Sequence, residues 1–331
     1  MASQQLSSQQ SDVASSKEDD QEKAMDEPIA SLPISKGLVR PVHRLYQNFW
    51  CPTPPLPNVI AFRRHFEAKD KDILLVSQPK SGTTWLKALV FSIVNRSRFD
   101  TSNTPLLTSN HHEVVPFIEH KLWPDLDGLA EPRLLAMHIP YPALPESVQR
   151  SDCRIIYICR NPLDTVVSSW HFLLETARSE NQPEWSLEEH FETFCQGEIL
   201  FGPFWDHIMG YWKESLERPR KVLFLKYEDL KEDIIGQLKK VAEFVGLPFT
   251  EGEEEGGVIE EIAKMCSLKT LKGLEVNKSG KLLHTIMEKR SFFRKGEVGD
   301  WVNHLTPSMV DRLNSIMQEK ISPLGLRFKT R

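Results

Sequence analysis

Long hydrophobic runs are missing from this chain of 331 residues, and no stretch approaches the roughly 18 consecutive apolar residues that span a bilayer. The amino terminus also lacks the apolar core of a secretory signal, and its acidic composition is one that transit peptides avoid. Cysteine is scarce, with five residues and no CxxC pair, which argues against a disulfide framework and a zinc site. These absences predict a cytosolic protein without a membrane span.

An excess of charge of one sign is also missing from most of the chain. Residues 1–29 hold seven acidic and two basic side chains, so the remaining residues contain basic and acidic side chains in equal number. A neutral body does not suggest a nucleic-acid surface. Because residues 1–28 lack aromatic side chains, we predict a disordered acidic tail there and one domain over 29–331, with an irregular lead-in at 28–57.

Four apolar runs predict the sheet. The runs at 73–76, 154–159 and 222–225 are each followed by a turn or a helical pattern, and a weaker run spans 133–137. Strands that alternate with helices predict an α/β fold, a single domain with a central parallel β-sheet flanked by helices. Ligands bind such sheets at the carboxyl ends of the strands, so the polar residues after each run are the candidates for a site.

The first run leads into the string QPKSGTTW, which has the composition of an anion-binding loop before a helix. Gly82 permits a close backbone approach, free amides at the helix start point at an anion, and Lys80 adds positive charge. Hydroxyl donors come from Ser81, Thr83 and Thr84. A nucleoside-triphosphate loop would carry its lysine after the last glycine, whereas here the lysine comes first. An ordinary strand–helix turn with a capping hydroxyl remains an alternative.

The string PKSGTTW resembles the phosphosulfate-binding loop of the cytosolic sulfotransferase family. The resemblance implies a P-loop-like sulfotransferase fold and 3′-phosphoadenylyl sulfate (PAPS) as co-substrate, with adenosine 3′,5′-bisphosphate (PAP) as product and no metal. It further implies that Lys80 stabilises the leaving phosphate and that Trp85 stacks on the purine. Residues 80–85 would together contact the nucleotide.

Two further segments resemble the family's site for the 3′-phosphate. The segment RNPLD and the serine that follows it imply that Arg160 and Ser168 grip this phosphate. The block RKGEVGDW resembles the family's RKGxxGDW and implies nucleotide contacts from Arg294, Lys295 and Gly296. Without the resemblance, these residues would be read as a surface arginine, a solvated serine and a basic turn.

Two more nucleotide contacts follow from the resemblance. Tyr227, in the segment KYED, matches the tyrosine that contacts adenine in the family, and Ser267 resembles another nucleotide contact. Without the resemblance, Tyr227 and Trp85 would be interpreted as core aromatic residues.

His138 is the candidate base among 11 histidines. It directly follows the run at 133–137, which places it at the ligand-binding edge of the predicted sheet. The segment MHIP resembles the THxP segment that carries the family's catalytic base. An imidazole suits proton removal near neutral pH. His111 and His112 suggest a metal site, but no third ligand has a suitable spacing.

The resemblance implies sulfuryl transfer to the hydroxyl of a small acceptor. The segments SLP, NHHEVVPF and GPFWDH resemble the plant branch of the family, whose flavonol, hydroxyjasmonate or steroid-like acceptors become the candidates. A catalytically silent PAP- or PAPS-binding protein and, with less support, a nucleotide kinase are the alternatives. No nucleic-acid or membrane partner is expected, and the oligomeric state is left open.

Overall fold

A four-stranded parallel sheet forms the centre of the protein. The computed structural model describes residues 29–35, 42–120, 126, 128–282 and 287–329, and the predicted tail at 1–28 lies outside them. The strands are β1 (His43–Tyr46), β2 (Phe49–Pro52), β3 (Ile73–Ser77), β4 (Leu134–Met137), β5 (Arg154–Cys159) and β6 (Val222–Lys226). The helices are α1 (Leu56–His65), α2 (Thr83–Asn95), α3 (His111–Val114), α4 (Glu146–Arg150), α5 (Pro162–Ser179), α6 (Leu187–Gln196), α7 (Phe204–Glu217), α8 (Tyr227–Glu232), α9 (Ile234–Phe244), α10 (Glu251–Glu255), α11 (Val258–Met265), α12 (Leu268–Gly273), α13 (Glu275–Lys278) and α14 (Pro307–Lys320).

The order of the parallel strands is β4-β3-β5-β6. This confirms the predicted α/β class with its central parallel sheet and flanking helices. Each of the four apolar runs forms a strand whose ends lie within one residue of the prediction. The apolar runs predict the strand bounds this closely because strands that are covered on both faces are apolar along their whole length.

Side chains of β3 alternate between two hydrophobic clusters. Leu74 and Val76 belong to one cluster, and Ile73 and Leu75 belong to the other. The first cluster includes Val166 of α5, whereas the second includes residues of α2 and α9. Helices therefore cover both faces, and the strand ends are left as the edge where ligands can bind.

The sequence predicted an irregular lead-in at 28–57. This prediction is wrong in part, because β1 and β2 form an antiparallel hairpin there. Its two-residue turn consists of Gln47 and Asn48, whose φ angles are 49° and 64°. Positive φ at both positions is the geometry that matches the twist of paired strands. The prolines around the hairpin obscured this signal.

No helix in the described part of the chain is long and apolar enough to cross a membrane.

Candidate active site

One cavity of about 870 Å³ opens at the carboxyl ends of the parallel strands. Twelve of the fourteen residues predicted for the site line it: Lys80, Gly82, Thr83, Thr84, Trp85, His138, Arg160, Ser168, Tyr227, Ser267, Arg294 and Gly296. Ser81 and Lys295 are not among the lining residues. Segments that are up to about 200 residues apart in the sequence thus meet because parallel strands end at the same edge.

The loop between β3 and α2 turns sharply where the sequence places its only glycine. Gly82 has φ 112° and precedes the first turn of α2, and Lys80 has φ 67°. The hydroxyl of Ser81 is buried and has no hydrogen-bond partner within the described residues. The Thr83 hydroxyl lies 2.5 Å from that of Ser77. The loop therefore combines backbone amides at a helix start with a buried unpaired hydroxyl, as an anion site requires.

Replacing Gly82 with alanine is expected to weaken PAP binding at least tenfold and to lower the melting temperature. A Cβ at this position would lie 2.9 Å from Cδ2 of Tyr227 and 3.0 Å from Cδ1 of Ile158, and the φ of 112° is unfavourable for alanine. Calorimetric titration and thermal unfolding measure the two effects. Gly252→Ala is the control, because Gly252 lies in a helix with no atom within 4 Å of the added Cβ. Equal PAP affinity in both variants would contradict a close backbone approach at Gly82.

The ammonium group of Lys80 lies between aromatic rings. Its Nζ is 4.1 Å from the ring centroid of Phe172 and 5.7 Å from that of Phe292, so its contacts are cation–π contacts. Burial lowers the pKa of Lys80 to about 7, and the positive charges of Arg294 and Arg160 act in the same direction. An anion placed among these three cations would relieve their repulsion.

Arg160 is held in place by the loop near the carboxyl terminus. Its guanidinium donates to the carbonyl oxygen of Glu297, lies 3.5 Å from the Asp164 carboxylate and packs 4.8 Å from the ring centroid of Tyr227. Its Nε is buried without a partner among the described residues. Ser168, in the second turn of α5, lines the same cavity. Arg160 therefore keeps a donor to offer a ligand.

Asp300 organises the two cations of the RKG segment. Its carboxylate accepts hydrogen bonds from Arg294 at 2.5 Å and from Lys295 at 2.6 Å. Burial acts to raise the pKa of Asp300, but these hydrogen bonds hold it below its ordinary value. Lys295 is directed to this carboxylate, whereas Arg294 also lines the cavity and has a buried Nε without a partner in the described part of the chain. The structure thus separates these two residues, which the resemblance grouped together.

Aromatic rings form the wall where the purine is predicted to bind. Trp85 and Tyr227 meet edge to face with centroids 5.4 Å apart, and the Tyr227 hydroxyl donates to the carbonyl oxygen of Gly296 at 2.9 Å. A Cβ on Gly296 would lie 2.4 Å from Leu268, so this glycine permits close packing. Ser267 lines the cavity and caps α12 by accepting from the backbone amide of Thr270.

His138 follows β4 and has one ring nitrogen engaged. Its Nδ1 lies 2.7 Å from the carbonyl oxygen of Ser77. A carbonyl oxygen only accepts hydrogen bonds, so Nδ1 carries the proton and Nε2 keeps its lone pair. Burial is the main cause that keeps the pKa of His138 well below its ordinary value. The imidazole is therefore a neutral base at physiological pH.

Many of the side chains that line the cavity near His138 are apolar. Phe117 and Phe201 lie 4.8 Å and 5.6 Å from His138 between ring centroids. Other lining side chains of this kind are Leu173, Leu200, Leu282, Met287 and Phe292. Such a wall fits a small acceptor with a hydrophobic skeleton.

Sequence reasoning missed several buried polar residues around His138. Glu119 lines the cavity and is fully buried, His207 is buried beneath His138, and the buried Lys87 contacts Nδ1 of His112 at 2.9 Å. In the sequence, His207 stood out only within the segment GPFWDH, as a mark of the plant branch, and His112 was considered only for that branch and for a metal site. Within the described residues, no group of three or more His, Cys, Asp or Glu side chains could hold a metal ion.

Comparison with known proteins connects this site to a family. The sulfotransferase domain family matches residues 70–325. Cytosolic sulfotransferase 15 of Arabidopsis thaliana is 48% identical over 312 residues, which cover 92% of this chain and 86% of that protein. A flavonol sulfotransferase-like protein of Flaveria bidentis is 47% identical over 289 residues, which cover 86% of this chain and 92% of that protein.

Solved structures agree with these sequence matches. An Arabidopsis thaliana protein described as a candidate steroid sulphotransferase is 38% identical with a TM-score of 0.73, covering 94% of this chain and 97% of that one. A mouse sulfotransferase in complex with PAP is 27% identical with a TM-score of 0.67, covering 84% of this chain and 94% of that one. The family match spans most of the chain, and the relatives share nearly half of its residues. The protein therefore belongs to the sulfotransferase family, as its motifs predict.

Proposed function

We propose that this protein transfers the sulfuryl group of PAPS to a hydroxyl of a small acceptor. The observation that carries the proposal is one cavity that joins three cationic side chains, Lys80, Arg160 and Arg294, to a neutral histidine whose Nε2 keeps a lone pair. The presence of PAP in the related mouse enzyme supports the same nucleotide for this chain.

The residues present fit a nucleotide with phosphates at two places. Near the 3′-phosphate, Arg160, Ser168 and Arg294 would donate, since the Nε atoms of both arginines are buried without partners in the described chain. The loop at 80–84 would hold the phosphosulfate through its amides and hydroxyls. The rings of Trp85 and Tyr227 would pack on the adenine.

The transfer needs a base and a cation, and His138 and Lys80 are the groups to which we assign these roles. His138 Nε2 would take the proton of the acceptor hydroxyl as the acceptor oxygen forms its new bond to sulfur. The bond between sulfur and the bridging phosphate oxygen breaks, and the electron pair leaves with PAP. The ammonium of Lys80 would stabilise the negative charge that develops on that oxygen. The products are a sulfate ester and PAP.

The wall around His138 favours a hydrophobic acceptor with a hydroxyl group. The names of the relatives point to flavonol and steroid-like acceptors, and the motifs add hydroxyjasmonates. The cytosolic relatives support the same location for this protein.

Titration with PAP and, separately, with ATP in magnesium-free buffer tests the proposed function. We expect tight PAP binding and negligible ATP binding. Arg294→Met should weaken PAP binding about 10- to 100-fold, because a hydrogen bond to a charged group contributes about 1.5–3 kcal/mol. Arg290→Met is the control, since Arg290 is exposed and pairs with Glu175 at 3.7 Å.

Turnover with PAPS on a panel of hydroxylated ring compounds then separates an enzyme from a silent binding protein. ATP binding equal to PAP binding would instead favour a kinase and contradict the proposal.

A further inference from the structure

Buried polar side chains hold the backbone of His138 at both its N–H and its carbonyl oxygen. We infer that Glu119 and His207 are positioning residues, which hold the backbone of His138 so that its Nε2 is directed at the acceptor hydroxyl. The inference rests on the proposed function, since it assigns these residues a part in the same transfer.

Glu119 holds the backbone amide of His138. Its Oε1 accepts from the His138 N–H at 3.0 Å, and the Glu119 side chain is fully buried. Glu119 lies in a short 3-10 helix, Ile118–His120. Asn58 anchors this helix, because its side-chain amide donates to the Glu119 carbonyl oxygen at 3.1 Å. A buried carboxyl is costly to keep in a protein interior unless it makes such contacts. The hydrogen bond to the His138 amide offsets part of this cost.

Burial also determines which form of Glu119 makes this contact. It raises the pKa of Glu119 to about 8, so the neutral acid predominates at neutral pH. A neutral carboxyl group still accepts through its carbonyl-type oxygen. Glutamine has the same shape and the same accepting oxygen, and it is therefore the conservative substitute for Glu119.

His207 holds the backbone carbonyl of His138. Its Nε2 lies 2.9 Å from that oxygen and its Nδ1 lies 2.8 Å from the hydroxyl of Tyr157. Since a carbonyl oxygen only accepts, Nε2 of His207 carries the proton and Nδ1 accepts from Tyr157. Burial lowers the pKa of His207 to about 4, so its ring stays neutral at physiological pH. The contact runs from β5 through α7 to the residue that follows β4.

Together these contacts fix three polar atoms of His138. Glu119 engages its backbone nitrogen, His207 its backbone oxygen and Ser77 its Nδ1. Nε2 is the remaining polar atom, and it is the atom that the transfer needs. A displacement of about 1 Å in a reacting group can cost about 100-fold in rate. Residues that hold the backbone of His138 can therefore change kcat through the position of its ring.

Paired substitutions at Glu119 test the inference in the full-length protein. Glu119→Leu removes the acceptor for the His138 amide and is expected to lower kcat about 10- to 100-fold, with the PAP dissociation constant unchanged. Glu119→Gln keeps the acceptor and should retain most of the wild-type kcat. If Glu119→Gln is as impaired as Glu119→Leu, or if PAP affinity falls in parallel with kcat, the role of Glu119 is structural and the inference is wrong.

A second pair at His207 decides the matter if Glu119→Leu does not fold. His207→Gln places an N–H near the position of Nε2 and should retain kcat, whereas the shorter His207→Asn should lose it. Nitrogen NMR of the histidines adds a readout that does not need turnover. We expect His138 to remain protonated at Nδ1 in the wild type and in both glutamine variants, and to become a mixture of tautomers in Glu119→Leu and His207→Asn.

Failure of the proposed function and failure of the inference about Glu119 and His207 give different results. No PAP binding or no turnover in the wild type would contradict the proposed function, while the NMR comparison would still test the hydrogen bonds to His138. Full activity and an unchanged His138 tautomer in both Glu119→Leu and His207→Asn would overturn the inference alone.

Discussion

His138→Asn is expected to lower kcat by about 100- to 10,000-fold, the range in which positioned general bases contribute. Asparagine ends where the histidine has Nδ1, so it keeps a donor for the Ser77 carbonyl oxygen, which lies 2.7 Å from Nδ1. It lacks the Nε2 lone pair that would take the acceptor's proton. Steady-state kinetics with PAPS and a fixed acceptor measures the effect, and PAP titration should show unchanged affinity.

The control is His65→Asn, because His65 is exposed at the end of α1. The pH profile adds a further check. Since the pKa of His138 is well below 6.5, the base stays neutral as the pH falls from 7 to 6, and its protonation should not reduce wild-type kcat/KM in that interval. A His138→Asn variant with wild-type kcat would show that another group removes the proton.

Lys80→Met is expected to lower kcat by about 100- to 1,000-fold, as loss of one donor to a developing oxyanion does. Methionine retains the apolar stem that packs near Phe172 and Phe292 but has no charge to place beside the leaving oxygen. The effect on kcat should exceed the effect on KM for PAPS, since the charge on that oxygen grows in the transition state. Lys278→Met, at an exposed lysine paired with Glu275, is the control.

We also expect Lys80 to take up a proton when PAP binds. Lys80 has a pKa of about 7 in the protein alone, so at pH 8 it is mostly neutral, and a bound anion raises its pKa. PAP binding at pH 8 should therefore take up a proton at Lys80, and PAP affinity should fall as the pH rises above 7. Calorimetry in buffers of different ionisation enthalpy measures this uptake. An identical proton balance in wild type and Lys80→Met would mean that Lys80 does not face the anion.

The sheet was predictable from sequence because its strands are buried on both faces. The strand β5 matches the apolar run at 154–159 residue for residue. The residues after the strands were equally accessible to prediction, because Arg160 directly follows β5, Gly82 lies in the loop after β3, and their motifs are specific. Their roles in binding and catalysis stay predictions until the variants above are measured.

Other features have no sequence signal of their own. Glu119 and His207 are buried, yet charged and polar residues are mostly exposed in proteins, so nothing in their local sequence distinguishes them from surface residues. Lys295 adjoins Arg294 in the chain, but it turns to Asp300 and does not line the cavity. Such differences depend on packing between distant segments, which periodicity and motif spacing do not encode.

The hairpin at the amino-terminal side has a consequence for where a functional fragment can begin. The match to the family model starts at residue 70, but Pro52, Pro55 and Asn58 line the cavity. The hairpin residue Trp50 exchanges backbone hydrogen bonds with 201–202, next to the aromatic wall around His138. A shortened protein that begins at residue 70 would leave this side of the cavity open to water. A fragment that keeps the whole cavity must therefore begin before residue 70, where the match to the family model starts.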